Sequence, residues 1–265
     1  MRISRLLVGL IVSLLPLLAV AAPAKQDAAK TDPAKLAAVA ASERLLAERM
    51  GKAYALLALG LTDTDPKRQL EESRERFDSQ LKMLQQLNSG GEVKDNYGLL
   101  GQLWGDYKTL VSAPPSKEGG GKLAELNEEV VWIAQKGSQL MLQQPGVSTG
   151  QASRAAQDLA TLSQRLARVY LLKSWGLGQA FLAKDLTAAK DECRALLMRL
   201  RNSPHNTPSI TAQIDLLATQ WTFFEQAINE LARANNDRNL IRNVATTSER
   251  MYEVASALAT QYGDR

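Results

Sequence analysis

Several residue types on which many small proteins and enzymes depend are nearly missing from this sequence. Its 265 residues include one cysteine and one histidine, and aromatic residues make up 5% of the chain. The lone Cys193 cannot close an internal disulfide, so we expect it to be a small buried hydrophobe in a fold stabilised by core packing. His205 has no cysteine, histidine or carboxylate at metal-ligand spacing, so no metal site is expected.

The chain also lacks the marks of an enzyme and of a nucleic-acid-binding protein. It has no glycine-rich phosphate loop and no recognisable pair of nucleophile and base, so we expect no catalytic residues and no cofactor. Its formal net charge is +4, from 32 basic and 28 acidic residues spread along the chain. Because these charges form no basic cluster, no nucleic-acid partner is expected.

One long hydrophobic run stands at the N-terminus, and no later stretch is apolar enough to span a membrane. Arg2 and Arg5 precede the run, and Ala19-Val20-Ala21 fits the small-x-small rule for cleavage. Residues 1–21 are therefore predicted to be a signal peptide, the alternative being an uncleaved membrane anchor. Cleavage would release a periplasmic protein that begins with a small, polar and flexible leader at 22–35.

The remaining chain favours an all-α fold, because it is rich in alanine, leucine, glutamine, arginine and glutamate. Shifted by 116 positions, residues 46–61 match residues 162–177 at six of 16 positions, where unrelated windows would share about one or two. The six residues in the first window are Leu46, Arg49, Tyr54, Leu56, Gly60 and Leu61. We therefore interpret the chain as a tandem repeat.

Each repeat is predicted to contain four helices, with hydrophobic residues in alternating steps of three and four, as in a left-handed bundle. The predicted domains are residues 36–144 and 151–263, two tandem antiparallel four-helix bundles. Four antiparallel helices return the chain to the end where it began. The two bundles can therefore lie side by side as an intrachain pseudo-dimer, with first helices 36–61 and 152–177 in contact.

Local signals place two of the helix boundaries in the first repeat. Asp65 is predicted to cap the second helix, with Pro66 at its first position. The segment SAPPSKEGGG, residues 112–121, is predicted to separate the third helix from the fourth.

Two short segments resemble a known sensor family. RLLAERMGKAY at 44–54 and TLSQRLARVY at 161–170 are similar to the R-M-L-S-Q-R-M-A-K segment of PilJ-type type IV pilus chemoreceptors. The periplasmic domain of that family is related to that of the nitrate sensor NarX, and Trp104 and Trp221 fit its third helix. The resemblance implies a periplasmic four-helix sensory module that occurs twice in this chain.

The resemblance further implies a place for a small anion, held between paired first helices by the first arginine of the motif. Arg44 stands at that place in the first repeat, and Ala160 in the second. The family's upstream glycine is replaced by Ala41 and by Gln157. A two-fold arginine clamp therefore cannot form from these positions.

The second motif arginine is present in both repeats, as Arg49 and Arg165, on the apolar face of its helix. A buried guanidinium needs an acceptor, which is either a carboxylate of the protein or an external anion between the bundles. Lys52 and Arg168, three residues further on, either raise the local positive potential or are solvated. The candidate ligand-binding residues are thus Arg44, Arg49, Lys52, Arg165 and Arg168.

An alternative role for Arg44 and a prediction for two tyrosines complete the sequence-based interpretation. Arg44 has an alternative role, because Glu48 lies four residues further along the helix and suits an ordinary surface ion pair. Tyr54 and Tyr170 recur in both repeats and are predicted to pack between the bundles.

These features predict an exported, non-catalytic ligand-binding or sensory module. No output domain is recognisable, so we expect it to bind a small anion or other small molecule and to act with a membrane chemoreceptor or a histidine kinase. The alternative is a structural or adaptor protein that docks onto a membrane receptor or a pilus component.

The first prediction concerns export. The exported protein should begin directly after Ala21, because the small-x-small site follows an apolar segment of signal-peptide length. Intact-mass analysis of periplasmic material tests this, and a mass that still includes residues 1–21 would contradict it.

Overall fold

Helices account for all the regular structure that the computed structural model describes, within residues 33–87, 90–177, 180–230 and 237–263. The eight helices there are α1 Pro33–Ala58, α2 Pro66–Gln85, α3 Glu92–Ser112, α4 Lys117–Leu142, α5 Gln151–Ser174, α6 Ala180–Arg201, α7 Pro208–Glu230 and α8 Arg238–Gly263. The all-α prediction is therefore confirmed for this part of the chain.

The N-terminal predictions fall largely beyond these ranges. The predicted signal peptide, residues 1–21, lies outside the described residues, as does most of the predicted leader at 22–35. The end of that leader was assigned wrongly, because α1 already begins at Pro33. None of the described helices is both long enough and apolar enough to cross a membrane.

The capping of α2 and the start of α4 differ from the sequence-based prediction. Pro66 does open α2, but Asp65 has a left-handed backbone and no capping hydrogen bond, since its carboxylate accepts from Arg68 Nε at 2.6 Å. The helix α4 starts at Lys117, inside the segment predicted to be a loop, and the Ser116 hydroxyl caps it.

Close packing explains why glycines, rather than larger residues, stand at the start of α4. A Cβ on Gly119 would lie 2.5 Å from the Tyr54 hydroxyl, and one on Gly120 would lie 2.3 Å from the Trp175 ring. Glycine costs helix stability, by roughly 1 kcal/mol relative to alanine. Here the cost is offset by the approach of two aromatic side chains to the start of α4.

The helices pack around two hydrophobic clusters. One cluster is built from α1 to α4, and the other is built mainly from α5 to α8. The helix α1 packs against α2, α4 and α5, while α5 packs against α6, α8 and α1. The contact between α1 and α5 therefore joins the two halves, and residues Asp32–Arg265 form one compact unit.

One acidic side chain lies inside the first cluster. Glu43 of α1 is fully buried, and neither of its carboxylate oxygens has a hydrogen-bond partner among the described residues. Burial raises the pKa of Glu43 well above its usual value, although Arg76 acts in the opposite direction. Leu159 stands at the equivalent position of α5 and is equally buried, so an apolar side chain suits this place.

The second prediction follows from this difference. Glu43→Leu should raise the free energy of unfolding at pH 7 by about 1–3 kcal/mol, because it removes an unpartnered buried polar group. The unfolded chain ionises this glutamate above a pH of about 4.3, while burial raises the pKa of Glu43 in the folded chain well above that value. Wild-type stability therefore falls as the pH rises from there, and the gain of the variant grows.

Urea unfolding at pH 4 and pH 7 measures this gain. The control is Glu125→Leu, on the exposed face of α4, where the substitution should change stability little at either pH. A gain from Glu43→Leu that shrinks as the pH rises would contradict the assignment of a neutral carboxyl group.

Candidate functional site

Charged side chains from four helices meet where α1 and α5 touch. This set, which we call the charge layer, comprises Glu48, Arg49, Lys52, Glu128, Arg165, Arg168 and Glu249. Its four cations and three carboxylates come from α1, α4, α5 and α8. The apolar stripes of α1 and α5 are thus interrupted by charges that face each other.

The cations of α1 share one carboxylate of α8. Arg49 Nη2 lies 2.5 Å from Glu249 Oε1, and Lys52 Nζ lies 2.6 Å from Glu249 Oε2. Burial lowers the pKa of Lys52, whose side chain is fully enclosed. Burial also disfavours the ionised form of Glu249, but Lys52 and Arg49 outweigh it and hold the pKa of Glu249 below its usual value.

The cations of α5 bind carboxylates of the first half. Arg168 Nε lies 2.6 Å from Glu48 Oε2, and Arg168 Nη2 lies 2.5 Å from Glu128 Oε1. Arg165 Nη2 lies 3.0 Å from Glu128 Oε2. Burial disfavours the charge of Arg168, but Glu48 and Glu128 raise its pKa above the usual value, so this guanidinium stays charged inside the protein.

These contacts decide between the alternatives left open by the sequence. Arg49 and Arg165 hold carboxylates of the protein itself. The interpretation of Lys52 and Arg168 as solvated residues is wrong, because both are fully buried. Three residues along a helix correspond to a rotation of about 300°, so Lys52 and Arg168 point in a different direction from Arg49 and Arg165. The sequence did not indicate that this second side of each helix is also enclosed.

The surface pair expected between Arg44 and Glu48 does not form. Arg44 Nη1 instead lies 3.2 Å from Asp158 Oδ1 on α5, and Glu48 is enclosed beside Arg168. Residues 44 and 48 of α1 thus contact residues 158 and 168 of α5 in the same order. The contact between α1 and α5 brings Asp158 close to Arg44 and encloses Glu48 between the two helices.

The same contacts occur in both directions between the halves. The buried positions of α4 and α8 coincide at a shift of 121, as with Ala124 and Ala245. At this shift Glu128 is equivalent to Glu249, so the contact of Arg165 with Glu128 reproduces that of Arg49 with Glu249.

A second pair of contacts repeats this relation. Lys117, at the start of α4, donates to the carbonyl oxygen of Trp175. Arg238, equivalent at the shift of 121, donates to the carbonyl oxygen of Gly60 at 3.2 Å and lies 3.5 Å from that of Leu59. Leu59 is equivalent to Trp175 at the shift of 116. Reciprocal contacts of this kind are expected when two similar units are related by a two-fold axis.

The carboxylates of the charge layer were missed by reasoning from the sequence. Glu128 and Glu249 stand on the fourth helices, where scattered glutamates carry no signal by themselves. The shift of 121 could have found them, because both occupy the same place beside matching hydrophobic residues. Glu48 has no such counterpart, since the equivalent Gln164 donates its amide to the Ser248 carbonyl oxygen at 2.9 Å.

The recurring aromatic residues lie in the two clusters. Tyr54 packs in the first cluster, and its ring meets that of Trp175 at the end of α5 at 6.3 Å between centroids. Tyr170 lies in the second cluster, where burial raises its pKa to about 12. Trp104 stacks on Phe77 at 4.2 Å between centroids.

An open cleft lies one turn from the charge layer, towards the N-terminal ends of α1 and α5. Its volume is about 1280 Å³. Its walls include Ala41 of α1, Ala160 of α5 and Tyr252 of α8. Tyr252 connects it to the charge layer, because the Arg49 guanidinium lies 5.1 Å from the centroid of the Tyr252 ring.

The described part of the chain shows no cluster of three or more histidine, cysteine or acidic side chains suited to a metal ion. Cys193 is buried, and burial raises the pKa of its thiol. In comparisons with known proteins, no protein-family model, no curated protein and no solved structure matches this chain.

The third prediction tests the charge layer. Arg168→Met should lower the free energy of unfolding by about 3–5 kcal/mol, because it removes the nearest ion-pair partner of the buried Glu48 and leaves Arg165 at 3.7 Å as the remaining one. Adding Glu48→Gln should restore most of that loss, since Gln164 shows that an amide fits the equivalent position. Urea unfolding of the two single variants and the double variant gives the coupling energy.

Arg194→Met is the matched control for this cycle. Arg194 forms ion pairs on the exposed surface of α6, and exposed pairs contribute about 1 kcal/mol or less. If Arg168→Met costs no more than Arg194→Met, the described charge layer is not a buried structural element.

Proposed function

We propose that the chain is an exported, non-catalytic ligand-binding or sensory module related to the input domains of PilJ-type chemoreceptors. It consists of two tandem antiparallel four-helix bundles, residues 36–144 and 151–263, arranged as an intrachain pseudo-dimer. The likeness of the two helix-one segments to that family supports the relationship. The predicted signal peptide supports a periplasmic location.

The reciprocal contacts support the pseudo-dimer. A contact that appears once can join any two surfaces, but a two-fold relation predicts every contact twice with the roles exchanged. The pairs of Arg49 with Glu249 and of Arg165 with Glu128 have this property. The packing of α1 on α5, the first helix of each predicted repeat, supports an axis between those two helices.

The observation that carries the binding function is the cleft between the halves. The cations of the charge layer already hold carboxylates, so an external anion would have to displace a buried ion pair. A ligand in the cleft would not have to displace an ion pair. The volume of the cleft is larger than that of a typical small-molecule site, so a small molecule has room there. We therefore place the ligand in the cleft.

A ligand in this position would contact both halves at once. Ala41 belongs to the first half, and Ala160 and Tyr252 belong to the second. A molecule that touches both favours the arrangement of the halves in which it has the most contacts, and so shifts the population towards that arrangement. A membrane chemoreceptor or histidine kinase that binds this module would sense that shift.

Exposed aromatic residues favour a second function, that of an adaptor. Trp132 on α4 and Phe223 on α7 expose 65% and 60% of their surface. Large exposed apolar side chains are common where another protein docks. An adaptor would use these faces to bind a membrane receptor or a pilus component, and would need no small molecule.

The fourth prediction separates the two functions. Thermal unfolding of the mature chain should shift upwards with one class of small molecule from a panel of acids, neutral peptides, sugars and amines. At 100 times the dissociation constant the gain should be about 2.7 kcal/mol. Ala41→Phe, which fills the cleft, should abolish the shift, whereas Ala188→Phe on the exposed face of α6 should keep it.

The adaptor function predicts a different result. No member of the panel should then shift the unfolding temperature, and substitution of Trp132 or Phe223 should weaken binding to a purified membrane receptor or pilus component. A small-molecule shift that Ala41→Phe leaves unchanged would contradict the placement of the ligand in the cleft.

A further inference from the structure

The rim of the cleft carries charge of one sign. Lys35 of α1, Arg76 of α2 and Arg199 of α6 line it. None of the described lining residues is an aspartate or a glutamate. Because both charge signs are almost equally common in this chain, a described lining that carries basic side chains and no carboxylate is unusual for its surface.

These three cations have no ion-pair partner in the part of the chain that the structure describes. Among the described residues, no carboxylate forms an ion pair with Lys35, Arg76 or Arg199. Arg76 interacts electrostatically with Glu43, but it forms no ion pair with that carboxyl group, whose pKa is raised well above its usual value by burial. The three positive charges therefore remain available to an anionic ligand.

The start of α5 adds to the positive potential of the cleft. Gly150, Gln151, Ala152 and Ser153 all line it. The first turn of α5 contains no acidic residue, and Gly150 offers no side chain to cap it. The backbone N–H groups of a helix start attract anions, so this end of α5 reinforces the charge of the rim.

The size and floor of the cleft select against a simple inorganic anion. A volume of about 1280 Å³ would leave such an ion in contact with one part of the wall only. The buried floor includes Leu45, Ala160 and Ala259, which suit carbon atoms of a ligand. The cations lie on three separate helices, so several anionic groups on one molecule are needed to reach them.

We propose that the cleft between the halves binds an organic molecule with at least two anionic groups, such as an acidic peptide or a polycarboxylic acid. This inference rests on the proposed function and names the chemical class of its ligand. It depends on charges of α1, α2 and α6 outside the arginine motif, whose residue Arg44 is engaged by Asp158.

Isothermal titration of the mature chain tests this with four probes: tri-glutamate, citrate, tri-glutamine and tri-lysine. Tri-glutamate or citrate should bind, and raised salt should weaken the binding because the rim is exposed. Tri-glutamine has nearly the same shape without side-chain carboxylates and should bind at least tenfold more weakly than tri-glutamate.

Two variants locate the binding site. Arg76→Gln and Arg199→Gln should each weaken tri-glutamate or citrate binding by about two- to fivefold, the effect expected of one exposed charge. Arg201→Gln is the matched control. It lies on the same helix as Arg199, pairs with Asp215 and does not line the cleft, so binding should be unchanged. All three positions are on the surface, so folding should be retained.

Each contrary result has a definite meaning. Tri-glutamine or tri-lysine could bind as tightly as tri-glutamate and lose this binding in Ala41→Phe. That result would contradict the anionic class of the ligand but would agree with the ligand-binding function. Acidic binding that is insensitive to Arg76→Gln and Arg199→Gln would move the site elsewhere. If neither acidic probe binds at millimolar concentration, the inference is wrong. The wider panel of the fourth prediction then decides the function separately.

Discussion

The ion pair between Arg168 and Glu48 is the constraint on which the arrangement of the two halves depends. Both side chains are fully enclosed, and their charged atoms are 2.6 Å apart. Removing two charges from water is expensive, and only close contact between them offsets that cost. Because one partner is on α1 and the other on α5, displacement of either helix along the other would leave a buried charge unpaired. The interior therefore tolerates one register only.

Other parts of the structure follow from this requirement. The helices α4 and α8 must each bring a glutamate to the contact between α1 and α5, and they do so from opposite halves. The starts of the same two helices donate to the carbonyl ends of α5 and α1. Each fourth helix thus holds the first helix of the other half at two points, one in the middle and one at its end.

The proposed function depends on positions at which the two halves differ. Glu48 faces Arg168, whereas the equivalent Gln164 is neutral, so the two halves are not interchangeable. The cleft also depends on unequal positions, because the equivalents of Arg76 and Arg199 are Glu192 and Met83. The two halves thus have similar helices but contribute different side chains to the cleft.

The all-α fold class and the start of α2 at Pro66 could be predicted from the sequence, because hydrophobic periodicity and proline positions are local properties of the chain. The predicted repeat, with Arg49 and Arg165 at matching positions, was also visible in the sequence, because the two segments can be compared directly. Local rules failed at the start of α4. Glycines are typical of loops, but here they lie in a helix, and Tyr54 and Trp175 occupy the space that their side chains would need.

Only the tertiary structure decided what the charged residues do. A periodic pattern identifies the face of a helix, but Lys52 and Arg168 lie on faces that become interior only when four helices meet. The acceptors Glu128 and Glu249 are contributed by distant segments, and so are the cations that surround the cleft. Sequence determined which segments are helices, while the pairing of charges depended on packing, because the cost of burying a charge exists only once water has been excluded around it.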